Sequence, residues 1–289
     1  MPPPRALSRL SAEKRPNPRV SQNKILLLHL QNIIQTTVMQ KDLVSIIMPM
    51  HNSAQFVGGA IASVLAQTYA NWELLVVDDL STDDSVRIVE DFAKRDSRIH
   101  LLFNTRHLGM PSAPRSMGVE HANGQYIAFL DSDDCWLPQK LEEQIPIFAD
   151  PTVAIVYSNY EKISEDGSRT RREVIAPAQI DYAHMLYGNI IGNLTGVYDR
   201  QKVGTAVIPD VHHEDYAMWL SILKKGFVGK NTNTINALYR IMESSVSSNK
   251  LRILSWQWHI YRRTERLSLL KSAYYYMHYA INAYRKRKI

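Results

Sequence analysis

The chain has 289 residues and a net charge of +6, and its composition excludes several classes of protein. An apolar fraction of 45% is ordinary for a globular protein and is enough to fill a substantial core. The single cysteine excludes an internal disulfide and a multi-cysteine metal site, and it fits a reducing compartment. No stretch of sequence reaches the roughly 20 apolar residues that a membrane-spanning helix needs, so we expect a cytoplasmic protein.

The positive charge is concentrated at the two ends of the chain. Residues 1–40 carry six Lys or Arg against one acid, and residues 251–289 carry nine against one, so the stretch between them is net acidic. An acidic centre repels a phosphate backbone, and we therefore expect no nucleic acid partner. Basic ends that flank a cytosolic domain suit an anionic membrane surface, and solvated tails are the alternative.

The pattern divides the chain into three parts. Residues 1–38 are proline-rich and are predicted to be an N-terminal extension, either disordered or lying before the true translation start near Met39. Residues 39–250 are predicted to form the main domain. Residues 251–289 are rich in Tyr, Trp, Arg and Lys and are predicted to form one or two amphipathic helices.

Apolar runs alternate with helical periods from residue 43 onward. Strands are predicted at 43–48, 72–77, 99–103, 126–130 and 153–157, and helices at 56–67, 83–94, 111–121, 138–149 and 215–225. A hairpin is predicted near 165–167, whereas 181–200 gives mixed signals. This alternation predicts an α/β fold with a mostly parallel sheet, in which ligands bind beyond the carboxyl ends of the strands.

Carboxylates follow two of these predicted strands. Asp131 and Asp133 follow the strand at 126–130, and Asp79 follows the strand at 72–77. Side chains alternate along an extended chain, so Asp131 and Asp133 are expected to point the same way. Two such oxygen ligands suit Mg²⁺ or Mn²⁺ carried by a diphosphate substrate, and a solvated acidic turn is the alternative.

Six segments in order resemble the family 2 glycosyltransferases. They are VSIIMPMHN (44–52), SVLAQTY (63–69), VDDLSTD (77–83), APRSMG (113–118), FLDSDD (129–134) and HEDY (213–216). In the fourth segment, Pro114 and Ser116 replace the family's usual Ala and Asn. The resemblance implies a Rossmann-like GT-A fold, a nucleotide-sugar donor, a divalent cation and inversion at the anomeric carbon.

The resemblance also implies roles for the residues that bind the donor. Asp133 is the expected direct metal ligand, with Asp131 reaching the metal through water or holding the ribose. Asp79 is expected to accept a hydrogen bond from the uracil imide, or to cap the helix that follows it. Arg115 is expected to pair with phosphate or stack near the base, with a surface salt bridge as the alternative. The remaining donor-binding residues, which would lie along base and ribose, are Pro49, His51 and Asn52.

Inverting transfer needs a base that takes the proton of the acceptor hydroxyl. Asp215 is predicted to be that base because it opens a predicted helix, and Glu214 is its rival. The neighbouring pair His212 and His213 is predicted to contact the acceptor or to lie at the surface.

The segments 215–227 and 245–250, with the Tyr-rich basic C-terminus, narrow the resemblance to bacterial enzymes that build O-antigen, capsule or teichuronic acid. Those enzymes act at the cytoplasmic face of the inner membrane on acceptors carried by undecaprenyl diphosphate. We therefore expect a peripheral membrane hexosyltransferase that uses a UDP-sugar, with glucose as the leading donor sugar and GlcNAc-diphosphoundecaprenol as the leading acceptor.

Two other functions remain open from the sequence. A nucleotidyltransferase that makes a nucleotide sugar shares the α/β architecture, although residues 49–52 are not the Gly-rich loop usual in that class. A non-catalytic sugar-binding module is the second alternative. For the C-terminal helices, simple packing on the domain is the alternative to an interface in which Tyr and Trp meet the membrane.

Overall fold

A computed structural model describes residues 39–105, 112–242 and 250–285. The chain divides after Val38, and the unit that begins at Met39 contains all the described residues. The prediction for residues 1–38 lies outside the described residues.

The first half of the described chain builds a parallel sheet. Neighbouring strands follow the order β3-β2-β1-β4, and each adjacent pair is parallel. β2 and β4 are buried along their whole length, as expected where helices cover both faces of a sheet. All four strands lie close to their predicted positions; they are β1 (Gln40–Met50), β2 (Trp72–Asp78), β3 (Ile99–Phe103) and β4 (Gly124–Phe129).

The helices between these strands also follow the predicted pattern. In the first of them, Val57, Ala60, Ile61 and Val64 form one buried face at helical spacing. The helix after Pro138 is shorter than predicted and continues as a 3₁₀ turn, Ile145–Ala149. The helices of this half are α1 (Val57–Leu65), α2 (Ser85–Ala93), α3 (Ser112–His121) and α4 (Lys140–Gln144).

The second half extends the sheet with mixed pairing. The order continues from β4 through β9, β6 and β10 to β5, and β9 runs antiparallel to both β4 and β6. The predicted hairpin is present between β6 and β7, whereas β9 and β10 were not predicted. The elements are β5 (Cys135–Trp136), β6 (Val153–Ile163), β7 (Arg169–Val174), β8 (Gln179–Ile180), α5 (Tyr182–Met185), β9 (Val197–Asp199), α6 (Arg200–Val203), α7 (Glu214–Leu223) and β10 (Val228–Arg240).

The C-terminal helices pack on the main core. They are α8 (Lys250–His259), a π-helical turn (Ile260–Thr264) and α9 (Leu269–Arg285). Ile260 and Tyr261 are fully buried, and the Tyr261 hydroxyl donates to the Leu186 carbonyl at 2.6 Å. The α/β class with a C-terminal helical extension is therefore confirmed, and the domain boundary at residue 250 stays a prediction.

The close pairing of β1 with β4 depends on the glycine at the start of β4. A Cβ added to Gly124 would lie 2.5 Å from the Leu43 carbonyl oxygen and 2.8 Å from the Ser45 amide nitrogen, and both are backbone atoms of β1. We expect Gly124→Ala to lower the free energy of unfolding by about 1–3 kcal/mol because the strands must separate. Urea unfolding measures this.

Gly59 provides the matched control for that substitution. It lies in α1 with nothing within 4 Å of an added Cβ. Gly59→Ala is expected to leave the stability unchanged or raise it by up to about 1 kcal/mol, since Ala is the better helix former. Equal stability of the two variants would contradict the close approach of β4 to β1.

Candidate active site

The carboxyl ends of three parallel strands form the floor of the site. β1 lies between β2 and β4, and adjacent strands are about 4.8 Å apart, so the loops that follow them are neighbours. The Ser53 and Ser132 hydroxyls are hydrogen-bonded at 2.7 Å, which ties the loop after β1 to the residues after β4. The sheet therefore gathers the residues predicted to bind the donor along one edge.

The loops after β1 and β2 are tied to each other by His51 and Asn52. The His51 Nδ1 atom lies 2.7 Å from the Asp79 carbonyl oxygen. The Asn52 side-chain oxygen accepts from the Thr82 amide at 2.7 Å, and the Asn52 amide donates to the Ser81 hydroxyl at 2.9 Å. These contacts fix the surface that was predicted to meet base and ribose.

The Asp79 carboxylate does not cap the helix that follows it. That helix, α2, begins at Ser85, and the Ser85 amide donates to Asp83 Oδ1 at 3.0 Å. The Asp78 carboxylate accepts from the Ser81 amide, which lies before the helix, at 3.2 Å. Asp79 Oδ1 accepts from Asn104 Nδ2 at 2.7 Å, and its own amide donates to the Met50 carbonyl. The capping alternative for Asp79 is therefore wrong, and its contact with a pyrimidine base stays a prediction.

The acidic cluster after β4 is a turn and not a continuation of the strand. The Asp134 amide donates to the Asp131 carbonyl at 3.1 Å, so the alternating geometry expected for Asp131 and Asp133 is wrong. Arg240 at the end of β10 holds this turn. Its Nε donates to the Asp133 carbonyl at 2.7 Å, and its amide donates to Asp134 Oδ1 at 2.8 Å.

The Asp133 carboxylate fits a divalent cation that arrives with a diphosphate. Burial raises the pKa of Asp133, and the nearby charge of Asp131 raises it further. The Asp133 side chain makes no hydrogen bond to any other residue in the described ranges. Within those ranges no three His, Cys, Asp or Glu side chains form a complete metal cage. Mg²⁺ sites commonly use only one or two carboxylates and take further ligands from phosphate and water.

Arg115 on α3 joins the acidic turn to α7. Its Nη2 pairs with Asp131 Oδ1 and its Nη1 pairs with Glu214 Oε1, and the guanidinium is about 10% exposed. Burial acts to lower the pKa of Arg115, but the carboxylates of Asp131 and Glu214 outweigh it and the net direction is upward. Arg115 is thus already engaged with two carboxylates, and its contact with phosphate stays a prediction.

The two candidate bases are in different environments. Burial raises the pKa of Glu214, and the charge of Arg115 only partly opposes it. The adjacent Asp215 is half-buried and accepts a hydrogen bond from the neutral Asn189 amide, with 3.0 Å between Nδ2 and Oδ2. Asp215 is therefore the carboxylate of the pair that makes no ion pair with Arg115.

One cavity of about 370 Å³ brings these groups together. Asp131 and Asp134, from the turn after β4, line it together with Glu214 and Asp215, from the start of α7. The lining also includes residues that the sequence had not singled out as site residues, among them Tyr160, Gly192, Asn193, Leu194 and Tyr239. The repeated Gly-Asn pairs at 188–189 and 192–193 were a visible signal, because such pairs often form polar turns.

His212 and His213, which precede α7, occupy different surroundings. His213 lines the cavity, has a backbone φ of 62°, and has a pKa lowered by burial. His212 is exposed and stacks on Trp256 of α8 with 4.0 Å between ring centroids. Only His213 is therefore placed to meet a ligand in this cavity.

The fold and the cavity define a glycosyltransferase of the GT-A class. Residues 45–227 match the family described as Glycosyl transferase family 2, and the chain belongs to that family. This membership favours glycosyl transfer over the nucleotidyltransferase and binding-module alternatives, and it confirms the family indicated by the six sequence segments.

Two relatives carry names that state a pathway or an activity. The chain is 38% identical over 248 residues to the putative teichuronic acid biosynthesis glycosyltransferase TuaG of Bacillus subtilis, covering 86% of this chain and 98% of that protein. It is 44% identical over 219 residues to WfgD of Escherichia coli, a UDP-Glc:α-D-GlcNAc-diphosphoundecaprenol β-1,3-glucosyltransferase. This match covers 75% of this chain and 85% of WfgD.

A solved structure supports the same fold at lower identity. Staphylococcus aureus TarS in complex with UDP-GlcNAc superposes with a TM-score of 0.63 at 16% identity, covering 82% of this chain and 71% of that one. At this identity the likeness bears on the fold alone.

The buried ion pair of Arg115 with Glu214 gives a stability prediction. Arg115→Gln leaves the buried Glu214 carboxylate without its cation, and we expect a loss of about 3–5 kcal/mol in the free energy of unfolding. The double variant Arg115→Gln/Glu214→Gln is expected to recover part of this loss, since Glu214 then contributes no buried uncompensated charge and only Asp131 still lacks its partner. Urea unfolding of the wild type, the two single variants and the double variant completes the cycle. A double variant no more stable than Arg115→Gln would show that charge is not the cause.

Proposed function

We propose that the chain transfers a hexose from a UDP-sugar to a saccharide carried on polyprenyl diphosphate, with inversion at the anomeric carbon. The proposed donor sugar is glucose and the proposed acceptor is GlcNAc-diphosphoundecaprenol, in bacterial O-antigen or other surface polysaccharide synthesis. The observation that carries the proposal is one cavity lined by both Asp131 and Asp215. The activity for which the relative WfgD is named supports the choice of substrates.

Asp215 is the proposed base. Its carboxylate takes the proton of the acceptor hydroxyl while that oxygen attacks the anomeric carbon opposite the leaving diphosphate. The hydrogen bond from Asn189 orients this carboxylate. Glu214 holds Arg115 and thereby the first turn of α7, which makes it a positioning residue.

The donor end of the cavity is assigned to the strand ends. Mn²⁺ or Mg²⁺ held by Asp133, with Asp131 reaching it through water or holding the ribose, would neutralise the charge of the departing diphosphate. Asp79 accepts from the uracil imide, and Arg115 orients Asp131 toward the donor. The residues that lie along base and ribose are Pro49, near the end of β1, and His51 and Asn52, in the loop that follows it.

The assay for this proposal measures UDP release from UDP-glucose with a synthetic GlcNAc-diphosphate-lipid acceptor. We expect turnover with Mn²⁺ or Mg²⁺ and none in EDTA. Asp215→Asn is expected to lower kcat by about 10²–10⁴-fold, because it removes the general base. Its thermal unfolding midpoint should stay near that of the wild type, since the Asp215 carboxylate makes no ion pair in the described residues.

Asp91→Asn is the matched control, because Asp91 is an exposed carboxylate on α2 paired with Lys94. It is expected to leave turnover unchanged. Full turnover by Asp215→Asn with an inactive Glu214→Gln would move the base to Glu214. Turnover that persists in EDTA would overturn the metal assignment.

The proposed location is the cytoplasmic face of the inner membrane, with residues 251–289 as the attachment. Across the described ranges, none of the helices combines the length and the apolar character that crossing a membrane requires. Most of the aromatic side chains expected at the interface are instead packed within the protein. Tyr275 packs against Tyr187 at 5.1 Å, and Trp258 packs against Tyr276 at 5.3 Å between ring centroids.

A different face of α9 is exposed and apolar. Leu270, Tyr274, Met277 and Ile281 recur at spacings of four and three residues, which places them along one side of the helix. Leu270 is 83% exposed and Met277 is 58% exposed. We call this row the α9 stripe.

The positive charges that flank the α9 stripe favour an anionic lipid surface as its partner. Arg263, Arg266 and Lys271 are exposed near its first end, and the sequence RKRK (285–288) follows its other end. Apolar side chains that enter the headgroup region beside basic residues are the pattern of a helix lying in the membrane interface.

We expect Leu270→Gln/Met277→Gln to reduce binding to vesicles of phosphatidylglycerol and phosphatidylcholine at least tenfold, because two exposed apolar side chains no longer enter the bilayer. Cosedimentation with vesicles measures this. Asn282 is exposed beside the stripe, and Asn282→Glu tests whether an added negative charge alone weakens binding to these vesicles. Equal binding of the wild type to purely neutral vesicles would contradict the proposal that the partner is an anionic lipid surface. A wild-type dimer that the double variant dissociates would show that a second copy covers the stripe.

A further inference from the structure

The segment that precedes β9 forms a polar wall of the cavity that sequence analysis left without a role. Gly192, Asn193 and Leu194 line the cavity, and residues Asn193–Thr195 form a 3₁₀ turn. Within the same segment, Asn189 bonds to the Asp215 carboxylate. The wall therefore contacts the proposed base at one point and the ligand space at another.

The side-chain amide of Asn193 is unsatisfied in hydrogen bonding within the described part of the chain. Its side-chain oxygen and nitrogen are both buried, and neither has a partner among the described residues. The His213 Nε2 atom, in another residue of the lining, is also buried without a partner. Buried polar groups in folded proteins are nearly always paired, so unpaired ones beside a cavity indicate a partner that comes from outside the chain.

The chemistry of these groups matches a sugar hydroxyl. An amide side chain offers two donors and an acceptor, and a hydroxyl group both donates and accepts. An imidazole kept neutral by burial offers one ring nitrogen as donor and the other as acceptor. The lining also includes Tyr160 and Tyr239, whose ring centroids are 6.0 Å apart. Apolar ring surface beside a few polar groups is the usual composition of a small-ligand pocket.

The position of Asn193 identifies which sugar it meets. In an in-line displacement, the anomeric carbon lies between the leaving diphosphate and the attacking oxygen. Asp131 marks the diphosphate end and Asp215 marks the attacking end, so the transferred ring occupies the space between them. Asn193 lines the same cavity as these two carboxylates.

We propose that Asn193 is a specificity-determining residue that hydrogen-bonds a hydroxyl group of the transferred hexose, with His213 Nε2 bonding a second polar group of the same sugar. This inference rests on the proposed function, because it places the donor sugar between Asp131 and Asp215. Asn193 thereby distinguishes donors by the hydroxyl group it bonds.

The test compares UDP-glucose with its 2-, 3-, 4- and 6-deoxy analogues. Wild-type kcat/KM is expected to fall 10- to 100-fold for one analogue that lacks the bonded hydroxyl. Asn193→Leu, a substitution of similar volume, is expected to lower kcat/KM for UDP-glucose by a similar factor and to abolish the difference between UDP-glucose and that analogue. Asn189→Leu, from the same wall, is the matched comparison and should lower kcat for all donors without changing their ratios.

Calorimetry separates this inference from the proposed function. UDP and UDP-glucose are titrated into wild type and Asn193→Leu in the presence of Mn²⁺. Loss of the extra affinity for UDP-glucose, with UDP binding unchanged, supports the assignment even if no acceptor is turned over. An equal loss for both ligands, or an unchanged discrimination among the deoxy donors, would overturn it. Absence of wild-type turnover with every donor would instead count against the proposed function.

Discussion

The site depends on the burial of one positive charge among carboxylates. Arg115 lies where α3, the acidic turn after β4 and the start of α7 meet, and it binds Asp131 and Glu214. Withdrawing a cation from water costs several kcal/mol, and only opposite charges at close range offset this cost. Three segments that are distant in sequence are therefore held together by charge. The proposed donor side and the proposed acceptor side of the cavity are both in contact with this arginine.

The parallel half of the fold could be predicted because each of its strands and helices shows its apolar pattern within its own short stretch of sequence. Each strand from β1 to β4 is a short apolar run, and helical periods lie between the strands. β10 was not predictable in the same way, because polar Asn and Thr residues interrupt its pattern and its pairing with β6 shifts register twice near Ile235. β9 has only three residues and takes its place from the strands on either side.

In the candidate site, too, some residues were predicted from local sequence motifs and others depend on contacts that are distant in sequence. Ordered motifs located Asp131, Asp133 and Asp215, which the fold brings to one edge or cavity. The turn at residues 131–134 was mistaken for extended chain, because its shape comes from contacts with Arg240, more than a hundred residues later. The sequence did not indicate Asn193, because this residue is distinguished by buried polar atoms that have no hydrogen-bond partner among the described residues. No sequence pattern shows such a lack of partners.

Arg240 connects the acidic turn to a distant hairpin. Besides its bonds to that turn, its Nη1 donates to the Glu165 carbonyl at 2.7 Å, and its guanidinium lies 5.0 Å from the centre of the Phe56 ring. Exposed hairpin tips usually tolerate inserted residues well. Here the tip between β6 and β7 supplies carbonyls to the same arginine that shapes the acidic turn. Changes in the length of this hairpin are therefore restricted by the chemistry of the donor site, although the hairpin contributes no side chain to that chemistry.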